Sequence, residues 1–159
     1  MDESEHAAAS AGGGTATVLF AYDGSELAEL AIEQAGSRLA PGHDALVVCV
    51  WQPADVGFKP VGERRFDAGN AGEVRKAALE TAAHGASLAE RAGFQARSTA
   101  VEAAPTWKGL VKAAEDHDAC LIVLGSHRRS GLKGRVLGSV AAAVVNHSAR
   151  SVLVVHRRS

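Results

Sequence analysis

The 159-residue sequence predicts a single α/β domain, a doubly wound parallel sheet with helices on both faces. Three observations carry that expectation. Short apolar or β-branched runs alternate with longer stretches in which apolar residues recur every three or four positions. Those stretches have helical length, and strands separated by single helices pair in parallel through right-handed crossovers. Finally, 47% apolar and 22% charged residues, with 17 Lys and Arg against 18 Asp and Glu, describe an ordinary globule with one core. That balance disfavours wholesale electrostatic binding of nucleic acid.

Taken in order, residues 1–14 end in Gly12-Gly13-Gly14, lack an apolar period and read as a flexible tail, which places the domain at 15–159. The N-terminus Met1-Asp2-Glu3-Ser4-Glu5 is acidic where a signal peptide would be basic. No window approaches the roughly 18 consecutive apolar residues of a spanning helix, so a cytoplasmic location is expected. Val18-Leu19-Phe20-Ala21 is a first strand that stops at Tyr22-Asp23-Gly24-Ser25, with Ser25 as helix N-cap and Glu26 in the first turn. Leu27, Leu30, Ala31, Ala35 and Leu39 then share a helical face until Pro41-Gly42. Ala45 to Trp51 is a second buried strand, and residues 52–70, with three glycines and two prolines, form a loop long enough to carry function.

A second amphipathic helix is marked by Val74, Ala77, Ala78, Thr81, Ala82, Gly85, Leu88, Ala89 and Ala92 and closes at a cap on Gly93. Phe94 to Glu102 alternates small or apolar with polar residues, as an edge strand does. Pro105 or Thr106 opens a helix with Trp107, Leu110, Val111 and Ala114 on its buried stripe. Cys120 to Leu124 is a fourth strand, a helix carrying Val140, Val144 and Val145 starts at Ser139, and Val152 to Val155 is a fifth strand. Cys49 and Cys120 both lie in apolar runs and are expected to be buried thiols, since no C-x-x-C spacing occurs.

Charge is unevenly spread. Residues 119–159 contain no acid, seven Lys or Arg and three histidines. An anion would prefer that quarter of the chain. The segment from Gly125 to Gly138-Ser139 combines glycines that let an anion reach the backbone, a helix N-terminus with unpaired N–H groups, and a hydroxyl. His127, Arg128, Arg129, Lys133 and Arg135 crowd the same loop. These are the parts of a phosphate cradle, or equally of a strand end and a helix cap flanked by solvated cations. In a doubly wound sheet, ligands bind beyond the carboxyl ends of the strands where strand order reverses, and Ala21 to Ser25 and Gly125 to Ser139 are two such ends.

Other chemistry lacks its parts. Neither G-x-G-x-x-G nor G-x-x-x-x-G-K-S/T occurs, which argues against a Rossmann dehydrogenase and a P-loop NTPase. The seven histidines show no H-x-x-x-H spacing and no serine sits in a G-x-S-x-G elbow, so a metal or serine hydrolase is disfavoured. A receiver domain would need a phosphorylatable Asp after the third strand, where only Glu102 stands. No catalytic residue is assigned. Asp23 stands where it can satisfy the N–H groups of its own turn and helix start. His127 is either part of the phosphate loop or a solvated histidine.

The segment from Val18 to Ser25, the run Leu124-Gly125-Ser126-His127-Arg128 followed after nine residues by Gly138-Ser139-Val140, and the terminal Ser151 to Val155 together resemble the universal stress protein family. The resemblance extends over residues 15–156. It implies a five-stranded sheet of order 3-2-1-4-5, a homodimer, and in one branch ATP, with or without Mg, on a G-x-x-G-(nine)-G-S/T loop. Carried over by position, Gly125 matches the first glycine, Gly138 the third and Ser139 the phosphate-contacting hydroxyl. Asp23 matches the acidic residue near the adenosine, while Ala21, Val50 and Leu124 match the walls around adenine and ribose. Tyr22, His127, Val140 and Ala141 complete the implied set.

The family's second glycine falls at Arg128. Two outcomes are open: the guanidinium turns outward and pairs with phosphates, or it fills the pocket and leaves a dimeric interaction protein that binds no nucleotide. Ala141 also replaces a frequent hydroxyl. Within the implied sheet order the last strand is an edge, and pairing of Val152, Leu153, Val154 and Val155 with a second copy would remove its open N–H and C=O groups. The expectation is a homodimeric, ATP-binding stress-response regulator with at most slow hydrolysis.

Overall fold

Strands and helices alternate through the chain, and every strand pairs in parallel, in the order β3-β2-β1-β4-β5. The computed structural model describes residues 16–52, 71–127 and 137–157. The first half contributes β1 (Thr17–Ala21), α1 (Glu26–Gly36), β2 (Asp44–Trp51), α2 (Ala71–Arg91) and β3 (Gln95–Glu102). The second contributes α3 (Thr106–Asp116), β4 (Ala119–Gly125), α4 (Ser139–His147) and β5 (Ser151–Val155). The chain steps outward from β1 to β2 and β3, then returns to the other side of β1 for β4 and β5. Strand order therefore reverses between β1 and β4.

The two-residue period of a strand divides the core between the sheet's faces. Val18, Phe20, Val47 and Val123 pack beneath α1 and α2, where Ala28, Ile32, Ala35 and Ala89 meet them. Leu19, Leu46, Val48, Ile122 and Leu124 point to the opposite face, beneath Leu110, Ala113 and Ala114 of α3 and Ala141 and Val144 of α4. The inner strands are buried on both sides, which is why they read as unbroken apolar runs. Phe94, immediately before β3, meets Phe20 edge-on with ring centroids 5.1 Å apart.

Four expectations need correction. α1 ends at Gly36, ahead of Pro41, and its buried face is Leu27, Ala28, Ala31, Ile32 and Ala35. Leu30 and Leu39 are only partly buried, because Leu39 falls in the turn after the helix. Cys120 is exposed while Cys49 is buried. The register of β1 against β4 slips at this point, Thr17 pairing with Ala119 and Val18 with Leu121, so Cys120 is the extra residue of a bulge. On α4 the buried residues are Ala141 and Val144, whereas Val140 and Val145 are 36% and 45% exposed. The small Ala141 lets the helix seat on its 141/144 edge, which rotates Val140 and Val145 outward. Val111 of α3 is likewise only half-buried, and Gly109, Leu110, Ala113 and Ala114 form the inner stripe. The expected tail 1–14 and nearly all of 52–70 lie outside the described residues.

Candidate functional site

Beyond the carboxyl ends of β1 and β4 the backbone is shaped by short-range hydrogen bonds and tight contacts. Tyr22 N–H donates to the Val48 carbonyl at 2.9 Å, extending β1 by one residue along β2. Gly24, at φ 82°, turns the chain. Asp23 Oδ1 accepts from Ser25 N–H at 2.9 Å, and Ser25 Oγ in turn accepts from Ala28 N–H at 3.2 Å as the N-cap of α1. The turn role expected of Asp23 is therefore filled by one carboxylate oxygen. The other, Oδ2, lies 3.8 Å from His127 Nε2, and both side chains are mostly exposed.

At the end of β4 the glycines are demanded by packing. A Cβ on Gly125 would stand 2.6 Å from Leu27 Cγ and 3.1 Å from the Leu27 carbonyl oxygen, so the first turn of α1 presses directly on the strand end. One on Gly138 would stand 2.8 Å from the His127 carbonyl oxygen. Ser126 lies between these constraints, 3% exposed. Its N–H donates to the Val155 carbonyl at 2.9 Å, and its Oγ accepts from Gly138 N–H at 2.8 Å. Gly138 is the N-cap of α4, and among the described residues no side chain caps that helix. Its first N–H groups thus face the end of β4 with their positive dipole end.

These ends enclose a cavity of about 240 Å³. Of the residues assigned from the sequence, Ala21, Tyr22, Asp23, Val50, Leu124, Gly125, His127 and Val140 line it. Gly138 and Ser139 stand at the start of α4 outside that lining, and Ala141 is turned into the core at 2% exposure. Arg128 lies outside the described residues, as do Arg129, Lys133 and Arg135. Sequence reasoning missed Val48 and Leu110, which give the hollow much of its apolar wall, and Thr106 at the start of α3. Val48 was discoverable, because it shares a strand face with Val50 by the period of two. Leu110 and Thr106 come from a helix whose position over β2 no local pattern reveals.

Tyr22 links the cavity to the opposite face of the sheet. Its hydroxyl donates to Glu29 Oε1 at 3.4 Å, and Glu29 also lies 3.7 Å from His84 Nε2. Burial, then the neighbouring Glu29 carboxylate, pushes the phenol pKa up to about 12. Two C-terminal cations are committed to acids: Arg150 pairs with Asp118 at 3.1 Å, and Arg157 with Glu26 at 2.9 Å. Among the described residues no group of three or more His, Cys, Asp or Glu could hold a metal ion, and no helix is long and apolar enough to cross a membrane. A wider, shallower depression along Asp44, Glu90, Phe94 and Arg97 sits at the amino ends of β2 and β3, away from the strand-order reversal.

Fold and site together define a doubly wound α/β protein with a partly apolar hollow at its topological switch point. The chain belongs to the universal stress protein family, whose profile matches residues 15–156. It is 35% identical over 156 residues to universal stress protein Rv2005c of Mycobacterium tuberculosis, covering 91% of this chain and 46% of that one. Universal stress protein MJ0577 of Methanocaldococcus jannaschii is 39% identical over 70 residues, 44% of this chain and 43% of its own length. This chain thus spans about half the length of the mycobacterial relative, and the segment matched in sequence to MJ0577 is about half of that protein. The solved structure of MJ0577 superposes with a TM-score of 0.70 at 25% identity, covering 92% of this chain and 99% of that one. A universal stress protein in complex with cAMP superposes with a TM-score of 0.61 at 28% identity, covering 91% and 98% of the two chains.

Proposed function

We propose that this universal stress protein binds ATP in the cavity between β1, β2 and β4 and acts as a nucleotide-responsive regulator. The observation that carries the reading is the cavity itself: an apolar hollow at the switch point, with a carboxylate on one rim and an uncapped helix N-terminus beside another. At about 240 Å³ it lies just below the range of about 300–1,000 Å³ usual for small-ligand sites. That size suits a nucleoside seated inside with its phosphates outside. Val48, Val50, Leu110 and Leu124 would hold the base, and Asp23 would accept from ribose hydroxyls. Ser139 and the first N–H groups of α4 would meet the phosphates. The cAMP complex of a related protein supports an adenine nucleotide as the ligand class. Mg would be carried mainly by the phosphates.

Hydrolysis is expected to be slow, because Asp23 is already engaged by its turn and His127 stands in solvent. A homodimer is proposed through β5. Among the described residues that strand pairs only with β4, and its Val152, Leu153 and Val154 remain half-buried. Cytoplasmic location belongs to the same proposal. Calorimetry with Mg-ATP tests the reading, together with anion-exchange analysis of nucleotide released on heat denaturation. Binding supports it. No binding by the wild type combined with binding by Arg128→Gly would replace it with the occluded, interaction-only protein.

A further inference from the structure

Apart from Tyr22, whose hydroxyl reaches Glu29, Ser126 is the one buried polar or charged residue among the described residues. A hydroxyl so enclosed destabilises the fold unless it is hydrogen-bonded. Its bond reaches Gly138, twelve positions along the chain, at the N–H group immediately preceding α4. The same residue's backbone N–H is fixed to β5 through the Val155 carbonyl. One side chain therefore ties the start of α4 to the joined ends of β4 and β5, independently of the residues between 127 and 137. Gly138 also packs so closely on the His127 backbone that a Cβ would collide with it at 2.8 Å. The bond and the close approach work together: each restricts where the amino end of α4 can stand relative to the cavity.

We propose that Ser126 is a positioning residue that sets affinity for the phosphate portion of the ligand without touching it. The inference rests on the nucleotide reading above. Removing the hydroxyl leaves the Gly138 N–H without its partner and lets the start of α4 drift from the cavity mouth. Adenosine, seated mainly among Val48, Val50 and Leu110, meets α4 at Val140 alone among the cavity's described lining residues. Loss of the hydroxyl should therefore separate ATP from adenosine, which a general loss of folding would not do.

The experiment measures ATP and adenosine affinity by calorimetry on the full chain, for wild type, Ser126→Ala and Ser126→Thr. Ser126→Ala is expected to weaken ATP about tenfold, the scale of one hydrogen bond. Adenosine should stay within about twofold, and Ser126→Thr should restore ATP binding. Ser126→Cys fills the site with a somewhat larger side chain whose sulfur is a weak acceptor, supplies a second variant, and should show the same selective loss. Equal ATP affinity in Ser126→Ala and wild type overturns the positioning role alone. So does an equal weakening of ATP and adenosine. A wild type that binds neither ligand overturns the nucleotide reading and this inference with it.

Discussion

Two glycines of α2 should respond to the same substitution with opposite sign. Gly85 faces the sheet, and a Cβ there would lie 2.7 Å from Tyr22 Cδ1, 2.8 Å from Tyr22 Cγ and 2.8 Å from Val47 Cγ1. Neither neighbour can retreat easily. Val47 is fully buried, and the Tyr22 backbone is bonded to Val48, so the ring atoms nearest the backbone cannot swing away. Replacing Gly by Ala gains about 1 kcal/mol of helix propensity. Overpacking costs about 1–3 kcal/mol, and three simultaneous clashes place this site near the upper end. Gly85→Ala is thus expected to be destabilising by about 1–2 kcal/mol net. Gly72, in the first turn of the same helix, would meet nothing within 4 Å. There the propensity gain stands alone, and Gly72→Ala should stabilise by up to about 1 kcal/mol. Urea unfolding followed by far-UV circular dichroism, at one protein concentration, reads both midpoints. A Gly85→Ala protein as stable as the wild type would refute the packing argument, as would shifts of the same sign at both sites.

The chain has a single tyrosine, so phenolate absorbance reports Tyr22 alone. With a folded pKa of about 12 against an ordinary 10.0, the stability it contributes is complete below pH 10 and lost as pH rises from 10 to 12. Alkaline titration should show the phenolate appearing near pH 12 or with unfolding; an ordinary titration near pH 10 in folded protein would contradict the geometry. Burial also raises the Cys49 thiol pKa, whereas Cys120 stands exposed on its bulge. A thiol reagent should modify Cys120 quickly and Cys49 only on unfolding, and Cys120→Ser should abolish the fast phase. Ser25→Ala removes the α1 cap and should cost about 1 kcal/mol in the same urea assay. Arg157→Ala breaks an ion pair whose partners are both mostly exposed, so a shift beyond about 1 kcal/mol would show that it does more than join two surface charges.

The layered fold was legible because buried parallel strands are apolar throughout, as in Val18 to Ala21 and Leu121 to Leu124. Strand order came from family likeness, since no periodicity says on which side of β1 the later strands fall. Local rules also located the Ser25 cap and the Asp23 turn, both of which depend on neighbours two or three residues away. They failed where distant chain decides. Cys120 reads as one more apolar residue in its strand, and only its pairing with β1 makes it a bulge. Val140 and Val145 look like a core stripe, but the seating of α4 on Ala141 and Val144 turns them outward. A serine after a strand is ordinary, and nothing local in the sequence reveals that the partner of Ser126 lies twelve positions along the chain.

The cavity's two rims bear opposite electrostatic character, and under the proposed binding mode that fixes which way a nucleotide lies. Asp23 carries a full negative charge at the end of β1. The start of α4 presents about half a positive charge in the form of unpaired N–H groups. A phosphate chain beside Asp23 would meet like-charge repulsion, whereas ribose hydroxyls there would donate to the carboxylate. Arg157 cannot reverse this preference while it remains paired with Glu26 in the first turn of α1. Phosphates are thereby directed toward Gly138 and Ser139, the end that the Ser126 hydroxyl holds in place. The strength of that attraction depends on how well the helix end is aimed, because a dipole's effect falls away within the first turn. A shift too small to disturb the core could accordingly weaken phosphate binding while leaving the base pocket unchanged, which is why the ATP-to-adenosine ratio is a sharper measure than either affinity alone.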